Sequence, residues 1–481
     1  MSTNNQATTL EKKQIKTGPI MIALMMSGFI GLFSETALNM AFTNIMTEFG
    51  IEPSAVQWLT TGYLLVLGIL VPVSGLLLQW FTTRQLFIAS LVFSILGTLV
   101  AAFSFNFELL LSARVIQAIG TGLLLPLMTN VILVIFPPHK RGSAMGTMGL
   151  VIMFAPALGP TISGLIVDSL GWQWIFWICL PLLIFALGFG IVFMQNVSTI
   201  TKPKIDILSI ILSTIGFGGI VYGFSSAGEG TGGWTHSTVI ISITVGVVGL
   251  ILFSLRQMKM EQPMINLRVF KYPLFSLAVV MVFVAMMIIL ASSILLPMYL
   301  KGGLALTAFA AGLVLLPGGI VNGIMSPICG KLFDKYGPKW LVIPGFILTT
   351  IMSFFLSRIT TSTEAIIIIL FHTVLFIGIA LIMMPAQTNG LNQLPRKYYP
   401  DGSAVMNTLN QIAGAIGTAI AISIMSSGQQ NYIADATDPA NPLVLAESLV
   451  AGIQNAFLFA FVASVIGLII AFFIKRADVL E

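Results

Sequence analysis

Charge is what this sequence has least of. Only 8% of its 481 residues are Asp, Glu, Lys or Arg, against 57% hydrophobic, where a soluble domain carries about 25% charged residues. So sparse a set cannot cover a water-facing surface, which excludes a soluble enzyme or binding module and leaves most of the exterior facing lipid. Cysteine is nearly absent: Cys179 and Cys329 both fall inside apolar runs, so neither a disulfide framework nor a thiolate metal site is expected. The three histidines, His139, His236 and His372, are scattered and form no ligand cluster. No G-x-x-x-x-G-K-[ST] loop is present to cradle ATP phosphates, and no H-E-x-x-H or clustered acid pair lies in the apolar runs. The expectation is a non-enzyme without cofactor or metal.

What the chain does have is long apolar runs, with a mean hydropathy of +1.00. In lipid every backbone N–H and C=O must be satisfied internally, which leaves helices or closed barrels. Barrel strands would appear as alternating segments of about ten residues. These runs are about 20 residues or longer, the length a helix needs to cross the hydrocarbon core. Fourteen spans follow, near 19–43, 55–79, 85–105, 108–135, 143–167, 173–195, 207–227, 237–256, 273–299, 305–330, 340–357, 364–390, 402–427 and 450–474. The fold class is an all-α membrane protein with fourteen transmembrane helices. Only the 257–272 and 428–449 connections are long enough for a short surface element.

The net charge of +5 does not point to nucleic acid, because the basic residues sit in short loops on one side of the bilayer. Lys12, Lys13 and Lys16 precede span one. The same side holds Arg84, Lys140, Arg141, Lys202, Lys204, Arg256, Lys259, Arg268, Lys271, Lys331, Lys335, Lys339, Arg396, Lys397, Lys475 and Arg476, while the other side has only Lys301 and Arg358. This asymmetry is the positive-inside signature and predicts that both termini are cytoplasmic. The three leading lysines resemble the start of a signal peptide, but the run behind them is too long and lacks a small-x-small cleavage site, so it reads as a first helix.

The chain also repeats itself. The segment Gly75 to Arg84 closes span two, and Gly330 to Lys339 closes span ten, 255 residues later; Gly142-Ser143-Ala144 and Gly402-Ser403-Ala404 open spans five and thirteen, 260 residues apart. The unit of repetition is six helices, with spans seven and eight inserted between two pseudo-symmetric halves. The expected organisation is a tail over 1–18, a first half over 19–195, two inserted helices with linkers over 196–272, a second half over 273–474 and a tail over 475–481. Duplicated halves around a central path are the build of secondary transporters.

Two formal charges lie well inside the spans: Glu35 and Arg114. Each costs about 2.5–3.5 kcal/mol or more at the bilayer centre unless paired or hydrated, so each is a functional candidate. Glu35 shares a helical stripe with Gly28, Gly31 and Asn39, and Arg114 shares one with Gln117 and Thr121. Opposite running directions place both charges in the outer half at similar depth. Burial disfavours a charged carboxyl and a nearby guanidinium favours it, which suits a group that exchanges one proton as water access alternates. The plainer readings are a fixed Glu35–Arg114 ion pair, or an arginine snorkelling to the interface. Span five reads Ala155-Pro156-Ala157-Leu158-Gly159-Pro160-Thr161-Ile162-Ser163-Gly164, in which prolines bend a helix and glycines permit close packing. Gly171-Trp172-Gln173-Trp174-Ile175-Phe176 adds an aromatic cluster at the outer interface.

Together these residues resemble the major facilitator superfamily, specifically its fourteen-helix drug–proton antiporters of the bacterial lincomycin- and norfloxacin-exporter kind, over nearly the whole chain. Gly330, Asp334, Gly337 and Lys339 are similar to the family's gating loop motif. Arg114 to Gly120 resembles the span-four motif associated with proton transfer, Ala155 to Gly164 the antiporter motif, and Glu35 to Ala41 the span-one motif. Two departures stand out. The first copy of the loop motif, over Gly75, Gln79 and Arg84, has Gln79 in place of Asp and Thr82 in place of Gly, which weakens its charge latch. Many relatives also carry the span-one acid where this chain has Ser34. Span ten, which bears a second acid in some relatives, has Asn322.

The resemblance implies proton-coupled efflux of amphipathic drugs across the cytoplasmic membrane by a monomer, driven by the proton gradient. Glu35 and Arg114 are the implied proton-coupling residues. Pro156, Gly159, Pro160 and Gly164 carry the antiporter motif, and Phe29, Phe33, Asn39, Tyr63, Gln117, Thr121 and Asn322 line the expected substrate cavity. Expected partners are amphipathic small molecules, protons and lipids. The same fold exporting an endogenous metabolite, lipid or siderophore is the alternative, and a membrane-embedded enzyme or sensor is a further one.

Overall fold

The computed structural model describes residues 17–51, 53–198, 200–202, 206–229, 233–261, 263–436, 438 and 441–477. Lys12, Lys13, Lys16, Lys204 and residues 478–481 of the expected C-terminal tail lie outside the described residues. The helices are α1 (Thr17–Ala37), α2 (Phe42–Phe49), α3 (Pro53–Trp80), α4 (Thr83–Ala102), α5 (Phe107–Ile135), α6 (Pro138–Leu170), α7 (Gln173–Phe193), α8 (Ile207–Glu229), α9 (Ser237–Lys259), α10 (Pro273–Met298), α11 (Ala308–Tyr336), α12 (Lys339–Leu356), α13 (Ala365–Asn392), α14 (Tyr399–Ala434) and α15 (Pro442–Ala471). Among the described residues there is no strand, and fourteen helices are long and apolar enough to cross a bilayer. Only α2 is not; it follows α1 through a 3-10 turn at Leu38–Ala41.

Helix starts follow the local chemistry. Thr82 and Gln85 cap α4 reciprocally, the capping box of an N-terminus. Asn106 accepts from Leu109 N at 2.8 Å to start α5. Pro138, Pro273 and Pro442 occupy first turns, where a missing N–H loses nothing. Gly337, with φ +80°, ends α11 in a conformation that disfavours any side chain.

One expectation is corrected here. The 428–449 connection is mostly helix, because α14 runs to Ala434 and α15 begins at Pro442. Gln429, Gln430 and Asn431 carry the α14 helix past the apolar region, and Tyr432 Oη donates to Glu447 Oε2 at 2.9 Å, joining the two extended ends. The first span also ends earlier as α-helix than the apolar run does.

Small residues set the packing. Gly120 of α5 lies against Ser90 and Ser94 of α4, and Gly345 of α12 against Gly378 of α13. Close backbone approach of this kind is what holds membrane helices together when lipid removes the hydrophobic drive. The α1 and α3–α7 helices pack on one another, as do α10–α15. Two seams join these groups: α6 against α11, and α3 against α14. The α8–α9 hairpin is knit by Gly219 on Gly246, and α8 packs along both α3 and α14. At its base Arg256 donates Nε and Nη2 to Asp206 at 2.6 and 2.9 Å. These bonds, with one from Ser209, hold the Asp206 carboxyl well below the usual carboxylate range. This ion pair was not anticipated from the sequence.

Candidate functional site

The polar centre is built on α1, α3, α4 and α5. Arg114 of α5 is fully buried, and its guanidinium donates Nε to Leu59 O at 3.2 Å and Nη1 to Ser34 O at 3.3 Å. It also donates Nη1 to Gln117 Oε1 at 3.0 Å and Nη2 to Glu35 O at 3.3 Å. The Tyr63 ring lies beneath it, 4.3 Å from the guanidinium carbon. Tyr63 Oη donates to Thr121 Oγ1 at 2.7 Å, and Gln117 Nε2 donates to Thr98 Oγ1 at 2.9 Å. One cation is thus satisfied by three backbone carbonyls, one amide and one π-face.

The fixed Glu35–Arg114 ion pair is not formed. Arg114 takes the backbone carbonyl of Glu35 and not its carboxylate, and the sole ion pair among the described residues is Arg256–Asp206. The Glu35 side chain is half-buried, and no described residue donates to its carboxylate or brings a cation within 4.0 Å. Snorkelling of Arg114 to the interface is likewise excluded by its burial. Glu35 therefore stands as an acid beside a cation that does not need it.

The expected cavity residues separate into two sets. Asn39 is exposed and accepts from Thr60 Oγ1 at 3.0 Å, and Phe29 is half-buried, stacked on Phe33. Phe33, Tyr63, Gln117, Thr121 and Asn322 are buried in this conformation. In the antiporter motif, Gly159 sits where a Cβ would strike Thr36 of α1, and Gly164 lies near Met40. The α6 helix is continuous past Pro156; the Pro160 side chain lies outside the described residues.

The face bearing the basic loops is closed. Gly142 of α6 and Gly330 of α11 touch backbone to backbone, and Gly146 lies on Ser326 and Gly330. Asp334 accepts from Gly142 N and Ser143 N, each at 2.8 Å, clamping α11 to α6. The other seam lacks this clamp. Gln79 donates to Gly75 O of its own helix and accepts from Thr201 at 3.3 Å, while Gly75 packs on Ala404. Arg84 bonds Ile191 O within the first group of helices. Gly337 packs beside Arg476, whose Nη2 donates to Asp334 O at 3.0 Å; Lys339 opens α12 at the surface.

Sequence reasoning missed Arg141 and Asp401. Arg141 is only 3% exposed. It donates to Phe136 O, Leu133 O and, across the seam, Asn392 Oδ1 at 3.0 Å, with its guanidinium over Tyr399 at 4.9 Å. Asp401, placed at a span boundary, is buried in α14 and accepts from Asn266 N at 2.8 Å. Both look like ordinary loop charges in the sequence. Only their flanking glycines, Gly142 and Gly402, mark the close packing.

A closed basic face, a half-buried acid near the other face and two packed helix groups describe an alternating-access carrier. A sequence profile of the Major Facilitator Superfamily matches residues 24–418. The chain belongs to the Major Facilitator Superfamily. It is a multi-pass protein of the cell membrane and a transporter by family. Within the superfamily it is 68% identical to the lincomycin resistance protein LmrB of Bacillus subtilis over 98% of this chain and 99% of that one. It is 62% identical to the protein of the same name from Listeria monocytogenes, over 97% and 98% of the two chains. The multidrug export protein EmrB of Escherichia coli is 27% identical over 88% of this chain and 82% of its own. The human organic anion transporter MFSD10 shares the fold, with a TM-score of 0.63 at 13% identity over 93% of this chain and 99% of that one.

Proposed function

We propose that this superfamily member is a monomeric proton-coupled antiporter that exports amphipathic, mostly aromatic antimicrobials, lincomycin among them. The names of its relatives support the cargo. The observation that carries the coupling is Glu35, whose carboxylate takes no hydrogen bond and no cation within 4.0 Å from the described residues, beside an arginine held by three carbonyls and the Gln117 amide. The basic face is read as cytoplasmic, so the closed seam leaves Glu35 on the side open to the exterior. There a proton from outside neutralises Glu35 and favours release of a bound cation. When the halves rock the other way, substrate entering from the cytoplasm displaces that proton inward. Arg114 positions the α1 backbone at Ser34 and Glu35 and supplies the fixed positive field. Expression in an efflux-deficient strain should raise the inhibitory concentration of lincomycin and of several lipophilic cations severalfold, and a protonophore should abolish the difference. Resistance that persists with the gradient collapsed would contradict the coupling.

Orientation is open to a direct check. Reporter fusions at Glu229 and Asp438 should read extracellular, and fusions at Lys140, Lys259 and Lys397 cytoplasmic. An inverted pattern would put the closed face outside.

Substrate charge follows from the same site. Asp334 and Asp401 are engaged by backbone amides, so among the described acids buried within the spans Glu35 is the one left for cargo. One carboxylate cannot both balance a dication and exchange a proton, so monovalent or neutral amphipaths should be exported better than rigid dications. Equal export of a long diamidine and a monovalent dye would argue against a single coupling acid.

A further inference from the structure

Packing relates the two helix groups residue by residue. Gly120 of α5 rests on Ser90 and Ser94 of α4; Gly378 of α13 rests on Gly345 and Thr349 of α12. Ser90 and Gly345 are 255 residues apart, and Gly120 and Gly378 are 258 apart. The second spacing pairs Arg114 with His372. The 255-residue spacing of Gly75 and Gly330, on α3 and α11, pairs Tyr63 with Gly318. The crossing is reproduced with other side chains: the Arg114 guanidinium lies over the Tyr63 ring, and the His372 imidazole lies against Gly318, where a Cβ would strike Nδ1.

At the first site Arg114 makes four hydrogen bonds; at its counterpart the polar side chains are left bare. His372 Nδ1 has no partner, although the residue is only 5% exposed. Asn322, one turn beyond Gly318 on the same stripe of α11, is 1% exposed, with neither its carboxamide nitrogen nor its oxygen paired. Ser353, the counterpart of Thr98, is also unpaired, because Leu375 stands where Gln117 stands in the first half. Buried polar atoms without partners destabilise a fold, so this cluster suits another conformation better. Its cover is the seam itself. Gly323, next to Asn322, lies under Phe154 of α6, and Ser326 lies against Gly149 of α6. Opening the basic face removes that cover.

We propose that Asn322 and His372 form a second subsite, which binds an uncharged hydrogen-bonding group of the exported compound, an amide or hydroxyl, when the basic face is open. This rests on the export reading above. A carboxamide offers donors and an acceptor together, and a neutral imidazole adds one of either kind; no charged side chain bonds to them. Closure over the subsite, as seen here, expels the cargo group and leaves its partners bare, which suits release to the far side. The test uses lincomycin, rich in amide and hydroxyl groups, and tetraphenylphosphonium, which has none, as cargo in inverted vesicles. In Asn322→Leu and in His372→Phe, the ratio of KM for lincomycin to KM for the phosphonium should rise about tenfold, and His372→Gln should recover most of the difference. If His372→Phe fails to fold, Asn322→Leu decides alone, since it removes unpaired polar atoms from a buried site. An unchanged ratio, with both KM values shifted together, would overturn the subsite and leave a packing role. Wild-type protein that carries the phosphonium but not lincomycin would overturn the subsite alone. Wild-type protein that carries neither would overturn the export reading and the subsite with it.

Discussion

Glu35→Gln should reach the membrane at normal levels yet lose accumulation of cargo in inverted vesicles. Exchange of one proton for one monovalent cation moves no net charge, so the pH gradient drives it, worth about 1.4 kcal/mol per pH unit, roughly a tenfold concentration ratio. An uncoupled carrier forfeits that ratio and merely equilibrates. The amide preserves size and hydrogen bonding but cannot exchange a proton, and no described residue brings a cation within 4.0 Å of the native carboxylate. Glu35→Asp keeps the acid on a shorter stem and should retain part of the activity. A fixed ion pair would instead predict that Arg114→Leu is rescued by Glu35→Gln, since removing both charges leaves neither unpaired. The geometry predicts no rescue. Arg114 holds the carbonyls of Ser34, Glu35 and Leu59, and each orphaned group costs about 1–3 kcal/mol whatever stands at position 35. Thermal melting of the two single variants and the double variant distinguishes these outcomes.

Asp334→Asn should impair transport far more than Gln79→Ala, although the two residues occupy equivalent places in the repeat. The Asp334 carboxylate receives two amide hydrogen bonds from α6. An asparagine offers one oxygen and turns its NH2 toward the second N–H. Losing one charge-assisted bond at this half-buried site removes about 1–2 kcal/mol from the closed seam, a five- to thirtyfold shift away from the conformation with the basic face closed. Among the described residues Gln79 bonds to its own helix and a loop, so its truncation should change transport less than about twofold. Labelling of a cysteine placed at Asn39 should report the same shift, falling in Asp334→Asn and not in Gln79→Ala. Equal losses at matched expression would mean that the asymmetry has no mechanical role.

The spans were legible because lipid leaves the backbone no alternative to the helix, so hydropathy alone locates α5 at Phe107–Ile135, where 108–135 was expected. Ends were legible only where lipid ends. Gln429 to Asn431 are polar yet helical, held by helix-to-helix contact that hydropathy does not register. Glu35 and Arg114 stood out because charge is rare inside a span, but whether they pair depends on where a guanidinium finds carbonyls, which no spacing reveals. Arg141 was hidden for the opposite reason. At the end of a span a charge reads as an orientation signal, and its burial depends on Asn392 of α13, in the other group of helices. His372 was set aside as a lone histidine, and its correspondence to Arg114 emerged only when Gly120 and Gly378 fixed the register.

Proton exchange at Glu35 against cargo is the centre of this account, and its most direct measure is proton release on binding. Purified wild-type protein in weakly buffered detergent solution should release close to one proton for each tetraphenylphosphonium bound, followed with a pH-sensitive dye. Glu35→Gln should bind the same cation and release essentially none. Equal release from the two proteins would contradict the assignment, because the exchanged proton would then reside on another group.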